Sequence, residues 1–252
     1  MAFDAASVIE EFWQARGRGE YFPRAWFDKL TLDQAYQIQL GLIDRRIAKG
    51  ERQIGWKVGL TAKPIQEQFG FHEPVFGVIL ESVPSGSVLH ARELIAPGFE
   101  SELCLRVGRD LGGKVSMAEA RAAVVGVHPA LEIIETRGDL SKQIALAMAD
   151  NAQQKTVVLG PPLPLGDRKL DEVACKVEMN GAVVAEGTGA AVLGNPLNSV
   201  IWLAEGLARY GRKIRAGDIV MTGSFVRQFP LKAGDKVRVA YAGFGVAEVS
   251  VD

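Results

Sequence analysis

The sequence predicts an α+β fold in which an N-terminal helical lobe, residues 1–51, precedes a mixed-β domain, residues 52–252. Two patterns support this expectation. Apolar residues recur at helical spacing in the first 50 residues, whereas from Arg52 onward short alternating runs are interrupted by Gly and Pro. The 252 residues, 48% of them hydrophobic, suffice to bury a sizeable core. We therefore expect the second part to form a barrel-like or sandwich-like body.

Two helices are predicted in the N-terminal lobe. The first spans residues 5–17. The second begins after Thr31, which is a suitable N-cap, and is stopped by Lys49-Gly50. Its apolar positions at helical spacing are Leu32, Ala35, Tyr36, Ile38, Leu42 and Ile43.

The body is expected to consist mainly of short strands. The predicted strands are residues 54–60, 75–80, 103–107, 155–159, 175–179, 219–222 and 236–241. Two helices interrupt them. One spans residues 116–125 and opens with the capping-box pair Ser116 and Glu119, and the other spans the apolar stretch 196–210 before Gly211.

Composition narrows the class of protein. A net charge of -1 argues against broad affinity for nucleic acid or an anionic membrane surface. The two cysteines, Cys104 and Cys175, lack the spacing of a zinc site or a disulfide framework, which favours a reducing cytoplasm. We find neither a basic region followed by an apolar leader nor a run of about 18 apolar residues, so we expect neither secretion nor membrane spanning.

Two glutamates alternate with apolar residues in the segment Phe99-Glu100-Ser101-Glu102-Leu103. Successive side chains of a strand point to opposite faces, so Glu100 and Glu102 share one face while Phe99 and Leu103 share the other. This places two carboxylates close together. A solvated edge strand would carry the same pattern, with the glutamates paired to Arg106 and Arg109 at the surface.

A third carboxylate, Glu132, lies inside the apolar run 130–134. A buried charge is costly unless it is paired or binds a metal. Three convergent carboxylates, without Cys or His at ligand spacing, suit a hard cation such as Mg²⁺ or Mn²⁺. The sequence therefore offers Glu100, Glu102 and Glu132 as candidate metal ligands.

A lone lysine, Lys57, is flanked by Trp56, Val58 and the glycines Gly55 and Gly59. The glycines permit close approach of a ligand or another backbone. A lysine in a cleft lined by carboxylates can donate to an oxyanion or transfer a proton, although a strand lysine also commonly extends to the surface.

The order of several short blocks resembles the 2-keto-4-pentenoate hydratase and 4-oxalocrotonate decarboxylase family, within the fumarylacetoacetate hydrolase superfamily. The blocks are residues 55–61, 76–77, 96–102, 129–134, 149–152, 187–198, 216–218 and 222–224. They extend over nearly the whole chain.

The resemblance implies a mixed β-barrel or roll of the fumarylacetoacetate hydrolase C-terminal type. It also implies a divalent metal, Mg²⁺ or Mn²⁺, held by Glu100, Glu102 and Glu132, with Lys57 as a catalytic residue. Ser224 matches a hydroxyl expected to hold the substrate carboxylate, although Thr222-Gly223-Ser224 would also suit an ordinary turn at a strand end. The implied substrate is a small 2-oxo acid or 2-hydroxydienoate from the meta-cleavage breakdown of aromatic compounds, and the implied assembly is a homo-oligomer.

One block departs from the hydratase pattern. Hydratases of this family generally carry an acid before the Phe/Tyr-Gly pair, as in Asp-x-Pro-Asp-Phe-Gly, whereas this chain has Val75 before Phe76-Gly77. Decarboxylases of the family tend to have an apolar residue there. His72 or Glu73 is an alternative acid or base, although both also suit a solvated turn.

Hydration of 2-hydroxypenta-2,4-dienoate-like substrates to 4-hydroxy-2-oxo acids is the first expectation for the activity. Decarboxylation of 2-oxo-3-hexenedioate is the second. An acylpyruvate hydrolase using His72 and Glu73, or a metal-binding protein without catalysis, remains open. The candidates for holding a distal carboxylate of the substrate are Arg137, Lys142 and Arg227.

Overall fold

The computed structural model describes residues 3–68 and 71–252. Within these ranges the helices are α1 (Ala5–Gly17), α2 (Leu32–Ala48), α3 (Lys63–Gln68), α4 (Met117–Ala123), α5 (Ile144–Ala149) and α6 (Pro196–Ala208). The strands are β1 (Gly55–Gly59), β2 (Val75–Ile79), β3 (Ser82–Pro84), β4 (Ser87–Leu89), β5 (Pro97–Val107), β6 (Val124–Glu135), β7 (Gln154–Leu159), β8 (Ala174–Met179), β9 (Ala182–Thr188), β10 (Ile219–Met221), β11 (Phe229–Pro230), β12 (Lys236–Tyr241) and β13 (Gly245–Val251). The predicted α+β fold is confirmed.

The two N-terminal helices form where the sequence predicts them. Thr31 caps α2 through a capping box with Gln34, which satisfies backbone donors at the start of the helix. The helix then packs on the body, where the buried Gln39 side chain donates to the carbonyls of Phe76, at 3.2 Å, and Met148, at 2.7 Å. This polar anchor fixes α2 over β2 and α5. The division of the chain into domains at residue 51 stays a prediction.

The larger sheet is curled and has the strand order β2-β1-β10-β5-β6-β7-β3, with β11 pairing on β5. Its centre is the long antiparallel pair β5 and β6. One face carries an inner apolar cluster of Ile79, Cys104, Ala130, Val157, Ile219 and Met221. These buried side chains pack together on that face of the sheet.

The smaller sheet has the order β4-β13-β12-β8-β9. The Tyr241 hydroxyl on β12 donates to the carbonyl of Ala130 on β6 at 2.8 Å, which joins the two sheets in the core. Gly187 on β9 lies against the segment after β10, because a Cβ at this glycine would stand 2.4 Å from the carbonyl oxygen of Phe225. This close packing holds that segment over β5.

Several predicted boundaries need correction. The helix predicted over 116–125 ends at Ala123, because Val124 already pairs with Val107 as the first residue of β6. The helix predicted over 196–210 ends at Ala208. The strand predicted over 103–107 begins earlier, at Pro97, so that both Glu100 and Glu102 lie within it. Among the described residues, no helix has the length and apolar character needed to cross a membrane.

Candidate metal and substrate site

Three glutamates converge on one face of the central strand pair. Glu100 on β5 lies directly opposite Glu132 on β6, and Glu102 follows two residues later on the same face. One carboxylate oxygen from each residue lies within 4.8 Å of those of the other two. Glu102 and Glu132 are fully buried, whereas Glu100 is half-buried and faces a cleft. The sequence-predicted trio is therefore brought together.

The alternative that these glutamates lie on a solvated edge strand is wrong. β5 is paired on both sides, by β10 and β6. The two nearby arginines also bind elsewhere: Arg106 donates to the carbonyl of Gly217 at 3.3 Å, and Arg109 donates to that of Glu119 at 2.9 Å.

The buried carboxylates are only partly satisfied. Oε2 of Glu102 accepts the backbone N–H of Gly223 at 2.8 Å. Gly223 has φ +112°, and a Cβ there would lie 2.3 Å from Oγ1 of Thr61, so only glycine fits. Across the described ranges, Oε1 of Glu102 and both carboxylate oxygens of Glu132 have no hydrogen-bond partner.

Lys57 extends from β1 towards the same group. Its Nζ lies 3.4 Å from Oε1 of Glu132, and its side chain is 6% exposed. Glycines make room for it, because a Cβ at Gly59 would stand 3.3 Å from Nζ and one at Gly77 would stand 3.3 Å from Cγ. The glycines around the lysine therefore serve the close packing of its side chain.

The charges in this cluster do not balance, since three carboxylates face one ammonium group. Burial, reinforced by repulsion from Glu132 and Glu100, raises the pKa of Glu102 well above its usual value. Burial also raises the pKa of Glu132 to about 7, against the attraction of Lys57. Burial opposes the charged form of Lys57, but attraction by the carboxylates, led by Glu132, raises its pKa above the ordinary value.

These observations fit a hard divalent cation. The oxygens without partners are buried carboxylate oxygens, the donors that Mg²⁺ and Mn²⁺ prefer. A cation would also offset the excess negative charge. Glu100, Glu102 and Glu132 are the residues placed to hold it.

Glu100 opens onto a cleft of about 520 Å³, whereas the buried Glu102 and Glu132 are not among its lining residues. Lys57, Glu100 and Ser224 all face it. Apolar wall residues are Leu60, Ala62, Val75, Ile134, Leu140, Met148, Ala152 and Val226. The Ser224 hydroxyl accepts the N–H of Ser101 at 3.2 Å and donates to its carbonyl at 3.3 Å, which fixes the serine beside the glutamates on β5. The cleft is thus lined by apolar side chains together with polar groups that include Lys57, Glu100 and Ser224.

The remaining candidate acids, bases and cations differ in whether they line the cleft. His72 is exposed, Glu73 pairs with Arg209 at 3.6 Å, and neither is among the residues that line the cleft. The carbon side chain of Val75 takes their place at the wall. Among the three cations considered for a distal carboxylate, only Arg227 lines the cleft.

A strained segment, for which the sequence indicated no role, forms another part of the cleft wall. Asn151, Ala152 and Gln153 have φ values of 58°, 48° and 59° in succession. The Asn151 side chain clamps β2, accepting the N–H of Val78 at 2.7 Å and donating to its carbonyl at 2.8 Å. Ala152 and Gln153 line the cleft. The Asp-Asn pair at 150–151 was visible within the family-like blocks, but the backbone conformation had no local signal.

Fold and site together define a mixed-β protein with a cluster of three carboxylates that could hold a divalent cation. Residues 61–252 match the fumarylacetoacetate (FAA) hydrolase C-terminal family, and the chain belongs to this family.

Two hydratases and one solved structure are similar to this chain over most of its length. 2-Keto-4-pentenoate hydratase 1 of Dechloromonas aromatica is 37% identical over 86% of this chain and 86% of its own. 2-Hydroxyhexa-2,4-dienoate hydratase of Comamonas testosteroni is 34% identical over 88% and 86%. The solved structure of 4-oxalocrotonate decarboxylase from Pseudomonas putida G7, complexed with magnesium and adipate, superposes with a TM-score of 0.87 at 32% identity and covers 98% of this chain and 96% of its own.

Proposed function

We propose that this protein is a Mg²⁺- or Mn²⁺-dependent lyase that hydrates 2-hydroxypenta-2,4-dienoate-like substrates to 4-hydroxy-2-oxo acids in aromatic compound catabolism. The observation that carries the proposal is the convergence of three carboxylates and Lys57 beside a cleft, with buried carboxylate oxygens that accept no hydrogen bond from the described residues. The hydratases that are similar to this chain support the same reaction class.

Glu100, Glu102 and Glu132 are the proposed ligands of the cation. When bound, a divalent cation supplies Lewis-acid stabilisation of the negative charge that develops on the 2-oxo oxygen of the substrate. The N–H of Gly223 orients the Glu102 carboxylate from the protein side, which leaves Oε1 of Glu102 and the Glu132 oxygens available.

Lys57 is the proposed catalytic residue for proton transfer. The net reaction adds one water: the far carbon and carbon 3 of the dienol each gain a proton, carbon 4 gains a hydroxyl, and the enol O–H proton leaves as the 2-oxo group forms. The Lys57 side chain lines the cleft and its Nζ lies 3.4 Å from Oε1 of Glu132, so the ammonium group can reach a substrate bound beside the glutamates. Ser224 is proposed to hold the substrate carboxylate, because its hydroxyl lies at the cleft beside β5 and can exchange its bond to Ser101 for one to the substrate.

Decarboxylation of a 2-oxo-enedioate such as 2-oxo-3-hexenedioate is the second candidate, and Val75 favours it. Addition of water profits from a general base, yet this position of the cleft wall is apolar. Loss of carbon dioxide needs no such base. The positions of His72 and Glu73 outside the cleft lining give no support to an acylpyruvate hydrolase that uses these two residues as the base.

We further propose a cytoplasmic homo-oligomer that has no nucleic-acid partner. The net charge of -1 and two buried free cysteines support the compartment and the absence of that partner. Val183 and Val184, exposed on the edge strand β9, favour self-association.

The test is the loss of the conjugated-dienol absorbance of 2-hydroxypenta-2,4-dienoate with Mg²⁺, with and without excess chelator. We expect rapid, chelator-sensitive loss and formation of the 4-hydroxy-2-oxo acid. Lys57→Met, which keeps the chain length without charge, should lower kcat by at least 100-fold, whereas Lys232→Met at an exposed position should not.

Product analysis separates the candidates. Carbon dioxide release from 2-oxo-3-hexenedioate without hydration of the dienol would replace the hydratase by the decarboxylase. Inactivity of the folded, Mg²⁺-loaded protein towards both substrates would reject the lyase proposal. Full activity of Lys57→Met would reject the role of Lys57.

A further inference from the structure

Gln153 presents a fixed amide group to the cleft. Its side chain lies among the residues that line the cleft, and the residue is 4% exposed. The amide nitrogen, Nε2, donates to the carbonyl of Gly138 at 2.9 Å. Because a carbonyl oxygen can only accept, this bond also determines which end of the amide is the nitrogen and which is the oxygen.

The amide oxygen of Gln153, Oε1, is available as an acceptor. Within residues 3–68 and 71–252, no donor forms a hydrogen bond with it. Unlike the carboxylate oxygens of Glu132, it is not fully enclosed by protein atoms, so it is accessible from the cleft that its side chain lines. A water molecule in the cleft can therefore donate a hydrogen bond to it.

The segment that carries Gln153 lies beside Lys57. Gly77 on β2 lies between them, because a Cβ at this glycine would stand 3.0 Å from the carbonyl oxygen of Asn151 and 3.3 Å from Cγ of Lys57. The Asn151 side chain also bonds both backbone groups of Val78, which fixes the segment on β2. The amide oxygen and the lysine therefore reach the same cleft from neighbouring parts of the chain.

The wall on another side of the Lys57 ammonium group is apolar. A Cβ at Gly59 would stand 3.3 Å from Nζ of Lys57 and also 3.3 Å from Cγ2 of Val75, so the valine lies close to the ammonium group. The cleft wall also contains the hydroxyls of Thr61 and Thr136. A hydroxyl rotates and can donate or accept, whereas the amide described above has a fixed direction and accepts only through its oxygen.

Arg137 holds the surroundings of the amide in place. It directly precedes Gly138, whose carbonyl accepts Nε2 of Gln153. Its Nη2 donates to the carbonyls of Asp150 at 3.1 Å and Gln154 at 3.4 Å, the residues on either side of the strained segment. Left-handed backbone at three successive non-glycine residues is costly and persists only where the surrounding structure enforces it. The fold thus maintains an unfavourable backbone conformation that brings Gln153 to the cleft.

We infer that Gln153 is a further catalytic residue, whose Oε1 binds the water molecule that adds to carbon 4 of the substrate. This inference rests on the proposed function, because it assumes that the protein hydrates a dienol. The amide oxygen accepts one hydrogen of the water, which directs a lone pair of the water oxygen towards the substrate and holds the nucleophile in place.

Lys57 carries the protons in this step. Its ammonium group gives a proton to carbon 5 of the dienol, and the enol O–H proton leaves to solvent as the 2-oxo-3-enoate forms. The water oxygen then bonds to carbon 4, and the π electrons between carbons 3 and 4 move to the 2-oxo group to give an enolate. The proton of the water that does not face Gln153 passes to the neutral Lys57 amine. Carbon 3 finally takes a proton from solvent, and Gln153 itself neither gains nor loses one.

The test separates formation of the 2-oxo-3-enoate from addition of water. The Mg²⁺-loaded protein is supplied with 2-hydroxypenta-2,4-dienoate or directly with 2-oxo-3-pentenoate, and chromatography measures the unhydrated and hydrated acids. We expect Gln153→Leu to lower the rate of hydration by about 10- to 100-fold, while the rate of dienol loss stays within about threefold and unhydrated 2-oxo-3-pentenoate accumulates. A merely structural role would lower both rates together.

Gln154→Leu is the matched control. This neighbouring glutamine is 7% exposed, does not line the cleft, and its Nε2 donates no hydrogen bond to the described residues. The substitution should change neither rate. Gln153→Glu keeps an acceptor oxygen and should recover part of the hydration that Gln153→Leu loses. If Gln153→Leu fails to fold by urea unfolding, Gln153→Met, with a flexible side chain of similar length, replaces it.

The outcomes distinguish this inference from the proposed function. Undiminished hydration by folded Gln153→Leu would overturn the inference and leave the hydratase standing. Parallel loss of dienol conversion and hydration would also overturn it, because the glutamine would then act through the structure of the site. If the unsubstituted, Mg²⁺-loaded protein hydrates neither compound, the proposed hydratase function itself is wrong.

Discussion

Two buried charge clusters lie near each other along β6, and they are built on opposite principles. The first contains Lys57 and the three glutamates described above. The second joins Arg16 and Arg137 to Asp150 and Glu135. Glu132 and Glu135 are only three residues apart on the strand, yet they belong to different clusters.

The second cluster is balanced in charge and satisfied in hydrogen bonds. Asp150 receives Arg16 at 2.7 Å on one oxygen and Arg137 at 2.5 Å on the other. Glu135 accepts Arg137 at 2.7 Å and the N–H of Ile95 at 3.0 Å. Two cations thus meet two carboxylates, and each of the four carboxylate oxygens has a donor.

The difference separates a structural network from a ligand site. A buried ionic network stabilises a fold only when its partners are complete, because an unpaired buried charge costs several kcal/mol. The glutamate cluster has excess carboxylates and, in the described part of the chain, oxygens that accept no hydrogen bond, so Lys57 and Gly223 offset only part of its folding cost and a bound cation would offset more. The cluster whose charged groups all have partners, that of Asp150 and Glu135, therefore serves the fold.

Replacing Asp150 by Asn is the strongest test of this distinction. The change keeps the shape of the side chain but leaves Arg16 and Arg137 with one carboxylate fewer, so we expect the free energy of unfolding to fall by about 3–5 kcal/mol. Urea unfolding at pH 7 measures it. A loss below about 1 kcal/mol would show that the balanced cluster contributes little to the fold.

Replacing Glu102 by Gln should have the opposite effect on the apoprotein. It removes one repelling carboxylate and keeps an oxygen for the N–H of Gly223, so we expect stability without metal to be unchanged or higher. With Mg²⁺ at 100 times its dissociation constant, the unsubstituted protein should gain about 2.7 kcal/mol by mass action, and the variant should lose this gain.

Thermal unfolding with and without Mg²⁺, together with isothermal titration, provides the measurement. Unchanged Mg²⁺ affinity in Glu102→Gln would remove Glu102 from the ligand set. Strong destabilisation of the apoprotein by this substitution would place the glutamates among the structural charges and erase the contrast with Asp150.

The sequence predicted the fold well where a local signal exists. The cap at Thr31 and the helical spacing after it determine α2, and the alternating run at residues 236–241 coincides with β12. β6 was recognised only as an apolar run around Glu132. It is buried along most of its length and contains a proline, so it lacks the alternation that reveals a strand with one solvated face.

The sequence predicted which residues form the candidate site, but it did not predict how they are arranged in space. The spacing of Glu100 and Glu102 fixed their common face, but the register that places Glu132 opposite Glu100 depends on pairing across the sheet. The position of Arg227 at the cleft could not be read locally either. Arg137 and Arg227 are equal in sequence terms, and only the tertiary fold buries the first in an ionic network and leaves the second at the cleft.

An exposed ion pair provides a reference for the stability that the buried charge clusters contribute. Arg46 donates to Glu51 through Nε at 2.8 Å and Nη2 at 2.6 Å, so its geometry is as good as that of the buried pairs. Because both side chains remain partly in water, we expect Glu51→Gln to cost less than about 1 kcal/mol by urea unfolding at pH 7.

The Arg46–Glu51 pair should contribute to stability in a pH-dependent way. The sign of this dependence follows from the hydrogen bonds of Arg46, which lower the pKa of Glu51 in the folded protein. A carboxyl with a lowered pKa contributes stability above its unfolded pKa of about 4.3, and this contribution declines as the pH falls through the folded value. The small difference between Glu51→Gln and the unsubstituted protein should therefore be present at pH 7 and shrink in acid. A cost as large as that of Asp150→Asn would mean that geometry rather than burial sets the strength of these pairs, and the contrast between the two buried clusters would then need another cause.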